Sequence, residues 1–178
     1  DAYKRAEVRP EHRFRIEHAQ ISTRKDLSRF ADLGVIPSIQ PTHATSDMRW
    51  ARERLGEERL RGAYAWASLL RSGASLAAGS DFPVESPNPM LGLYSATTRQ
   101  DRNGDPEGGW YPQERLSREE ALHAFTKGAA FAAFEEDVKG ALSRGRMADF
   151  VVWSGDPMTC PAEELPGLCA IRTVIGGE

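Results

Sequence analysis

The feature that most constrains this chain is the alternation of short apolar runs with helical patterns over its first 81 residues. RFRIEHAQ (13–20) reads as a strand. Ser22 or Thr23 can then cap a helix carrying Leu27, Phe30, Ala31 and Leu33 on one face, and Gly34 stops it. VIPSIQ (35–40), bounded by Pro41, is a second strand. The charged stretch 46–61 reads as a largely solvated helix. Ala63, Tyr64, Trp66, Ala67, Leu69 and Leu70 define an amphipathic helix ended by Gly73. SLAAGS (75–80) is a third strand and runs into Asp81. Strand, helix, strand, helix, strand in this order predicts βαβ crossovers and a parallel sheet.

Beyond Asp81 the pattern changes. A Pro-rich turn (83–89) leads to a helix over 90–98 and a polar loop over 100–113. Ser117 and Glu120 form a capping box, with Leu116 placed to staple the entry of an Ala-rich helix over 118–127; a short helix follows over 129–135. After Lys139, Gly140, Gly145 and Gly155 punctuate two short strands, DFVVW (149–153) and AIRTVI (170–175), which read as an antiparallel unit.

Composition narrows the function classes. With 178 residues, 40% hydrophobic and 28% charged, the chain has the balance of a soluble globular protein. No apolar run approaches the ~18 residues of a membrane span, and a net charge of −3 offers no global attraction to nucleic acid or anionic lipid. Cys160 and Cys169 read as free thiols, and no CxxC pair suggests a structural zinc site. No signal-peptide pattern is present, so a cytoplasmic location is expected. The opening DAYKRAEV reads as the tail of a helix, and the closing strand runs into a turn at Glu178, so both ends look cut.

Three polar residues end the predicted parallel strands: His18 after RFRIE, His43 just past VIPSIQP, and Asp81 after SLAAGS. That edge of an α/β sheet is where ligands bind. A histidine and an aspartate brought together there could bind a divalent metal, which would lower the pKa of a bound water whose proton the carboxylate could take. Spacings of 25 and 38 residues suit successive βα units rather than a local metal loop. Each residue also has an ordinary reading, a hydrogen-bonded strand-end histidine or a capping aspartate. Parity puts His18 on the face of Phe14 and Ile16, with Arg15 and Glu17 opposite, so a kink near the strand end is needed to bring it inward.

RIEHAQ (15–20), SIQPTH (38–43), AAGSDFPV (77–84), LSREEALHAFTKGAA (116–130) and KGALSRGRMADFVVW (139–153) resemble, in register, the amidohydrolase superfamily, specifically amidohydrolase family 3, the YtcJ-like branch. The last segment matches a G-x-L-x-x-G-x-x-A-D-hydrophobic signature at Gly140, Leu142, Gly145, Ala148 and Asp149. The resemblance implies an α/β fold: the C-terminal part, about strands 6–8, of a (β/α)8 TIM barrel over 1–138, plus part of a small β-sandwich over 139–178. It implies a metal-dependent hydrolase of non-peptide C–N, amide-type bonds, with zinc as the expected divalent cofactor and a small-molecule amide as substrate. His18 and Asp81 would be metal ligands. Asp81 would also shuttle a proton, and His43 would hydrogen-bond the oxygen that gains charge.

The departures are equally specific. The only histidines are His12, His18, His43 and His123, so the strand-1 His-x-His pair and the strand-5 histidine have no counterpart. A barrel needs at least ~200 residues, more than the chain has, so the isolated chain is expected to be inactive. Two other readings stay open: a non-catalytic half-barrel remnant or assembly module, self-associating through open strand edges, and a cyclic-base deaminase of the same superfamily. His12 reads as an exposed turn residue and His123 as structural. Arg49, Arg52, Arg54, Arg59 and Arg61, interleaved with glutamates, read as a solvated helix face, and Trp110 and Tyr111 as packing for their loop.

Overall fold

The computed structural model describes residues 11–178, and the helix tail read at DAYKRAEV lies outside them. The chain is α/β. Strands β1 (Arg15–Glu17), β2 (Ile36–Ile39) and β3 (Ala77–Ala78) form one parallel sheet in the order β1-β2-β3, with Arg15 beside Ile36 and Ser38 beside Ala77. The crossover from β1 to β2 is α1 (Leu27–Asp32), entered through a 3-10 turn at Arg24–Asp26. Thr23 bonds the Asp26 side chain instead of capping a backbone N–H. Leu27 and Phe30 are the buried residues of α1, and Gly34 leaves it in the left-handed region (φ 62°).

The crossover from β2 to β3 carries α2 (Pro41–Leu60) and α3 (Trp66–Arg71). Helix α2 begins five residues before the predicted 46, because Pro41 occupies its first turn, where a missing N–H costs nothing. Its buried residues are mainly those of that first turn, Pro41 to Thr45, and Gly56 breaks the helical backbone (φ 72°) in the charged, solvated half. Helix α3 is shorter than predicted. Tyr64 takes a left-handed conformation (φ 50°), and its N–H bonds the Gln20 carbonyl. Beside it, a Cβ on Gly62 would lie 1.9 Å from the Ser22 oxygen, so only glycine permits this approach of the two loops.

Helix α4 (Pro89–Thr98) is capped by the Asn88 side chain on Met90 N–H, and α5 (Arg118–His123) opens on the predicted Ser117–Glu120 capping box. The predicted continuation to 127 is instead a π-turn over Ala124–Gly128, followed by α6 (Ala129–Ala132). Gly128 lies so close to β3 that a Cβ there would sit 2.1 Å from the Leu76 oxygen. The wide turn is what seats the backbone against the strand.

The main core joins α1, α3 and α4 to the sheet through Ile39, Trp66, Leu69 and Leu93, all almost fully buried. At its centre is Arg99, which ends α4 in the left-handed region and is itself fully buried. Its guanidinium donates to the Tyr64 and Trp110 carbonyls and lies over the Trp66 and Trp110 rings. Trp110 thus packs its loop down, as read. His12 is not a free turn residue: its Nε2 meets the Leu33 oxygen at 2.8 Å.

The tail holds the predicted antiparallel pair, β4 (Phe150–Trp153) and β5 (Ala170–Val174). Leu165, in the 3-10 segment Ala162–Gly167 between them, enters the main core and ties the hairpin down. An isolated hairpin would be marginal in water. Both cysteines are free. Among the described residues no helix is long and apolar enough to cross a membrane.

Candidate metal centre

The C-terminal ends of the three parallel strands bring His18, His43 and Asp81 together. One ligand atom from each lies within 4.8 Å of the others, the one such group among the described residues. His18 follows β1 directly, and the kink that parity demands is present: His18 (φ 69°) and Ala19 (φ 42°) are both left-handed. His43 sits in the first turn of α2, positioned by Pro41, with its side chain 10% exposed. Asp81 follows β3, also left-handed (φ 57°). Asp81 Oδ2 lies 3.9 Å from His18 Nδ1 and 3.8 Å from His43 Nε2. Both distances are too long for hydrogen bonds. The imidazole rings lie 5.6 Å apart.

Each ring also meets an amide, His43 through the nitrogen turned away from Asp81 and His18 through the same Nδ1 that faces Asp81. His18 Nδ1 is 2.9 Å from Gln40 Oε1. His43 Nδ1 is 3.5 Å from Gln20 Nε2, which also reaches Asp47 Oδ2 at 3.3 Å. The Tyr64 hydroxyl donates to that same Asp47 oxygen. Burial pushes the Tyr64 phenol far above its ordinary range, and the Asp47 carboxylate pushes it the same way, so the hydroxyl remains a donor. Asp47 and Tyr64 carry no strand-end or spacing signal of their own. Gln20 and Gln40 do lie within RIEHAQ and SIQPTH, which is the signal that could have found them.

The donor set fits a divalent ion. His43 Nε2 is buried and has no hydrogen-bond partner among the described residues, although it faces Asp81. Such an orphan costs free energy unless something polar occupies the gap. Imidazole nitrogen and carboxylate oxygen are the ligand types zinc takes. His18 and Asp81 by themselves fall short of a closed four-coordinate shell. His123, exposed on α5, is not part of the cluster. Arg49 and Arg52 pair with Asp101 and Glu57 at the surface, in keeping with a solvated face.

The sequence model of the amidohydrolase family matches residues 1–178. YtcJ of Bacillus subtilis (strain 168), an amidohydrolase by name, is 34% identical over 164 residues, which are 92% of this chain and 31% of that protein. Protein LONG AFTER FAR-RED 3 of Arabidopsis thaliana is 41% identical over 93% of this chain and 28% of its own length. N-substituted formamide deformylase of Arthrobacter pascens is 29% identical over 92% and 30%. Among solved structures, an uncharacterized metal-dependent hydrolase from Pyrococcus furiosus superposes with a TM-score of 0.74 at 35% identity. It covers 89% of this chain and 31% of its own. The chain thus spans about a third of the length of these relatives. Matched by the family's model from end to end, it belongs to the amidohydrolase family.

Proposed function

We propose that this chain supplies the strand-6 to strand-8 part of a metal-dependent hydrolase that cleaves amide-type, non-peptide C–N bonds of small molecules. Residues 1–138 belong to the barrel and 139–178 to a small β-sandwich. The observation that carries the reading is the convergence of His18, His43 and Asp81 at the C-terminal edge of three adjacent parallel strands, with a buried imidazole nitrogen left unpartnered. A relative named as a formamide deformylase and a structural neighbour described as a metal-dependent hydrolase support the bond type and the metal.

His18 and Asp81 would hold the ion, with zinc the best match to their donors. When bound, zinc supplies Lewis acidity that lowers the pKa of a water. The rest falls to the chain's own residues. The Asp81 carboxylate takes the proton of the attacking water and delivers it to the leaving nitrogen. His43 donates from Nε2 to the oxygen that gains charge at the tetrahedral stage, a contribution of a few kcal/mol when such a donor is preorganised. Gln40 meets His18 at Nδ1, the nitrogen that also lies 3.9 Å from Asp81 Oδ2, so with that contact kept the ring would hold the ion through Nε2.

Alone, the chain holds too few ligands for tight zinc binding or turnover. Isothermal titration of zinc into the chain, with formamide hydrolysis followed in parallel, tests this; stoichiometric tight binding with turnover would refute it. An assembly role is favoured by one observation: every residue of β1 is exposed, with Ile16 at 44%. Self-association through that edge predicts a dimer or larger in size-exclusion chromatography, and a clean monomer counts against it.

A further inference from the structure

The two histidines of the cluster are held by amides of opposite polarity, and this separates their chemical roles. Gln20 Nε2 lies between two groups, His43 Nδ1 and Asp47 Oδ2. The Asp47 carboxylate can only accept, so the nitrogen end of the Gln20 amide, not its oxygen, must face it. The same nitrogen then offers its second hydrogen to His43 Nδ1, which must accept. A neutral imidazole that accepts at Nδ1 carries its proton on Nε2. Asp47 cannot turn away, because the Tyr64 hydroxyl donates to the same oxygen. Tyr64 is fixed in turn by its N–H on the Gln20 carbonyl and by Arg99, which donates to its own carbonyl at 2.8 Å. At His18 the partner atom is the Gln40 oxygen, so Nδ1, the nitrogen 3.9 Å from Asp81 Oδ2, is the protonated one and Nε2 keeps its lone pair.

We propose that Gln20, locked by Asp47 and Tyr64, is a positioning residue that fixes His43 as the Nε2–H tautomer. His43 then presents a hydrogen-bond donor to the space beside Asp81, not a metal ligand. The unpartnered, buried Nε2 is the predicted donor, and Asp81 Oδ2 at 3.8 Å is too far to accept from it directly. The catalytic meaning of this tautomer rests on the hydrolase reading above, but the tautomer itself does not.

The test is a two-bond hydrogen–nitrogen correlation spectrum of the metal-free, nitrogen-15-labelled chain at a pH where the rings are neutral. The His43 signals are those lost in His43→Gln. The wild-type chain should show His43 protonated at Nε2. The double variant Gln20→Glu/Asp47→Asn keeps the charge and nearly the shape but reverses the relay, and should move the proton to Nδ1. In Asp47→Asn alone Gln20 is free to turn over, and both ring nitrogens should shift toward a common averaged position. A wild-type ring protonated at Nδ1, or a His43 spectrum unmoved in either variant, overturns the proposal. Zinc added to the same samples separates the two readings. No perturbation at His18 with the expected His43 tautomer counts against the metal and supports the relay. Zinc bound beside an Nδ1–H His43 overturns the relay and spares the metal.

Discussion

Arg99→Lys keeps the charge and removes the fork, and its cost can be worked from the contacts. The guanidinium uses two different nitrogens at once, Nε to the Trp110 oxygen and Nη1 to the Tyr64 oxygen, both at 2.8 Å. An ammonium on a shorter tether can keep one of these and leaves the other carbonyl buried. A hydrogen bond to a charged group is worth about 1.5–3 kcal/mol. The guanidinium also sits 4.5 Å from the Trp66 ring centre and 5.2 Å from that of Trp110, a stacked geometry that an ammonium reproduces poorly at a loss of about 0.5–1 kcal/mol. Burial already pulls the Arg99 pKa down to about 10, and a more strongly hydrated ammonium suffers more from the same site. The expected loss is about 2–4 kcal/mol. At ~2–4 °C per kcal/mol for a chain of this size, the midpoint should fall by roughly 5–15 °C. Equilibrium urea unfolding followed by tryptophan fluorescence reads it, since two of the reporting rings touch the mutated side chain. A change within about 0.5 kcal/mol of wild type would show that the fork does not hold the Tyr64 loop, and the support assigned to it beneath Asp47 would go with it.

Ser117→Ala should cost about 1 kcal/mol, because both halves of the capping box are made, and a drop of a few degrees in Tm checks it. Gly128→Ala should be destabilised by at least about 1–3 kcal/mol, since its new methyl meets the Leu76 backbone oxygen, which cannot move as a side chain would; urea midpoints decide it. Asp101 is held below its ordinary 3.8. Burial alone would raise it, but the Asn103 and Asp105 N–H groups and Arg49 outweigh that. The stability it contributes is therefore full above the unfolded value and lost as pH falls below it, so loop 101–106 should lose amide-exchange protection there, a step absent from Asp101→Asn. His18→Ala and Asp81→Asn should each weaken whatever zinc affinity the chain has by on the order of tenfold or more, measured by competition with a chelator; unchanged affinity in both places the ion elsewhere.

Periodicity and caps made much of the architecture legible. The three strands, the capping box at Ser117 and the antiparallel tail all follow from local rules that the tertiary structure leaves in force. Boundaries moved where one residue serves two elements: Pro41 ends a strand pattern and also opens a helix, and only packing decides that it does the second. That His18, His43 and Asp81 would gather was legible because a strand end is a place in the sequence as well as in space. The contacts behind them, at Asp47, Tyr64 and Arg99, were not. Gln20 finds Asp47 across 27 residues and Arg99 finds Tyr64 across 35, distances over which no spacing rule operates.

Backbone conformation shows the same division. His18, Ala19, Tyr64 and Asp81 all occupy the left-handed region, which costs a non-glycine residue of order 1 kcal/mol or more and is held only where surrounding contacts over-determine it. A strand predicted through His18 by alternation would point its ring with Phe14 and Ile16. The left-handed pair at 18–19 turns it toward Gln40 and Asp81 instead. The backbone gives up its local preference at these four positions, and each either contributes a donor to the cluster or flanks the relay behind His43. Arg13, Arg99, Tyr111 and Phe134 share the conformation outside the cluster, so left-handed backbone serves packing here as well, and at 18–19 and 81 it aims the side chains that meet at the strand ends.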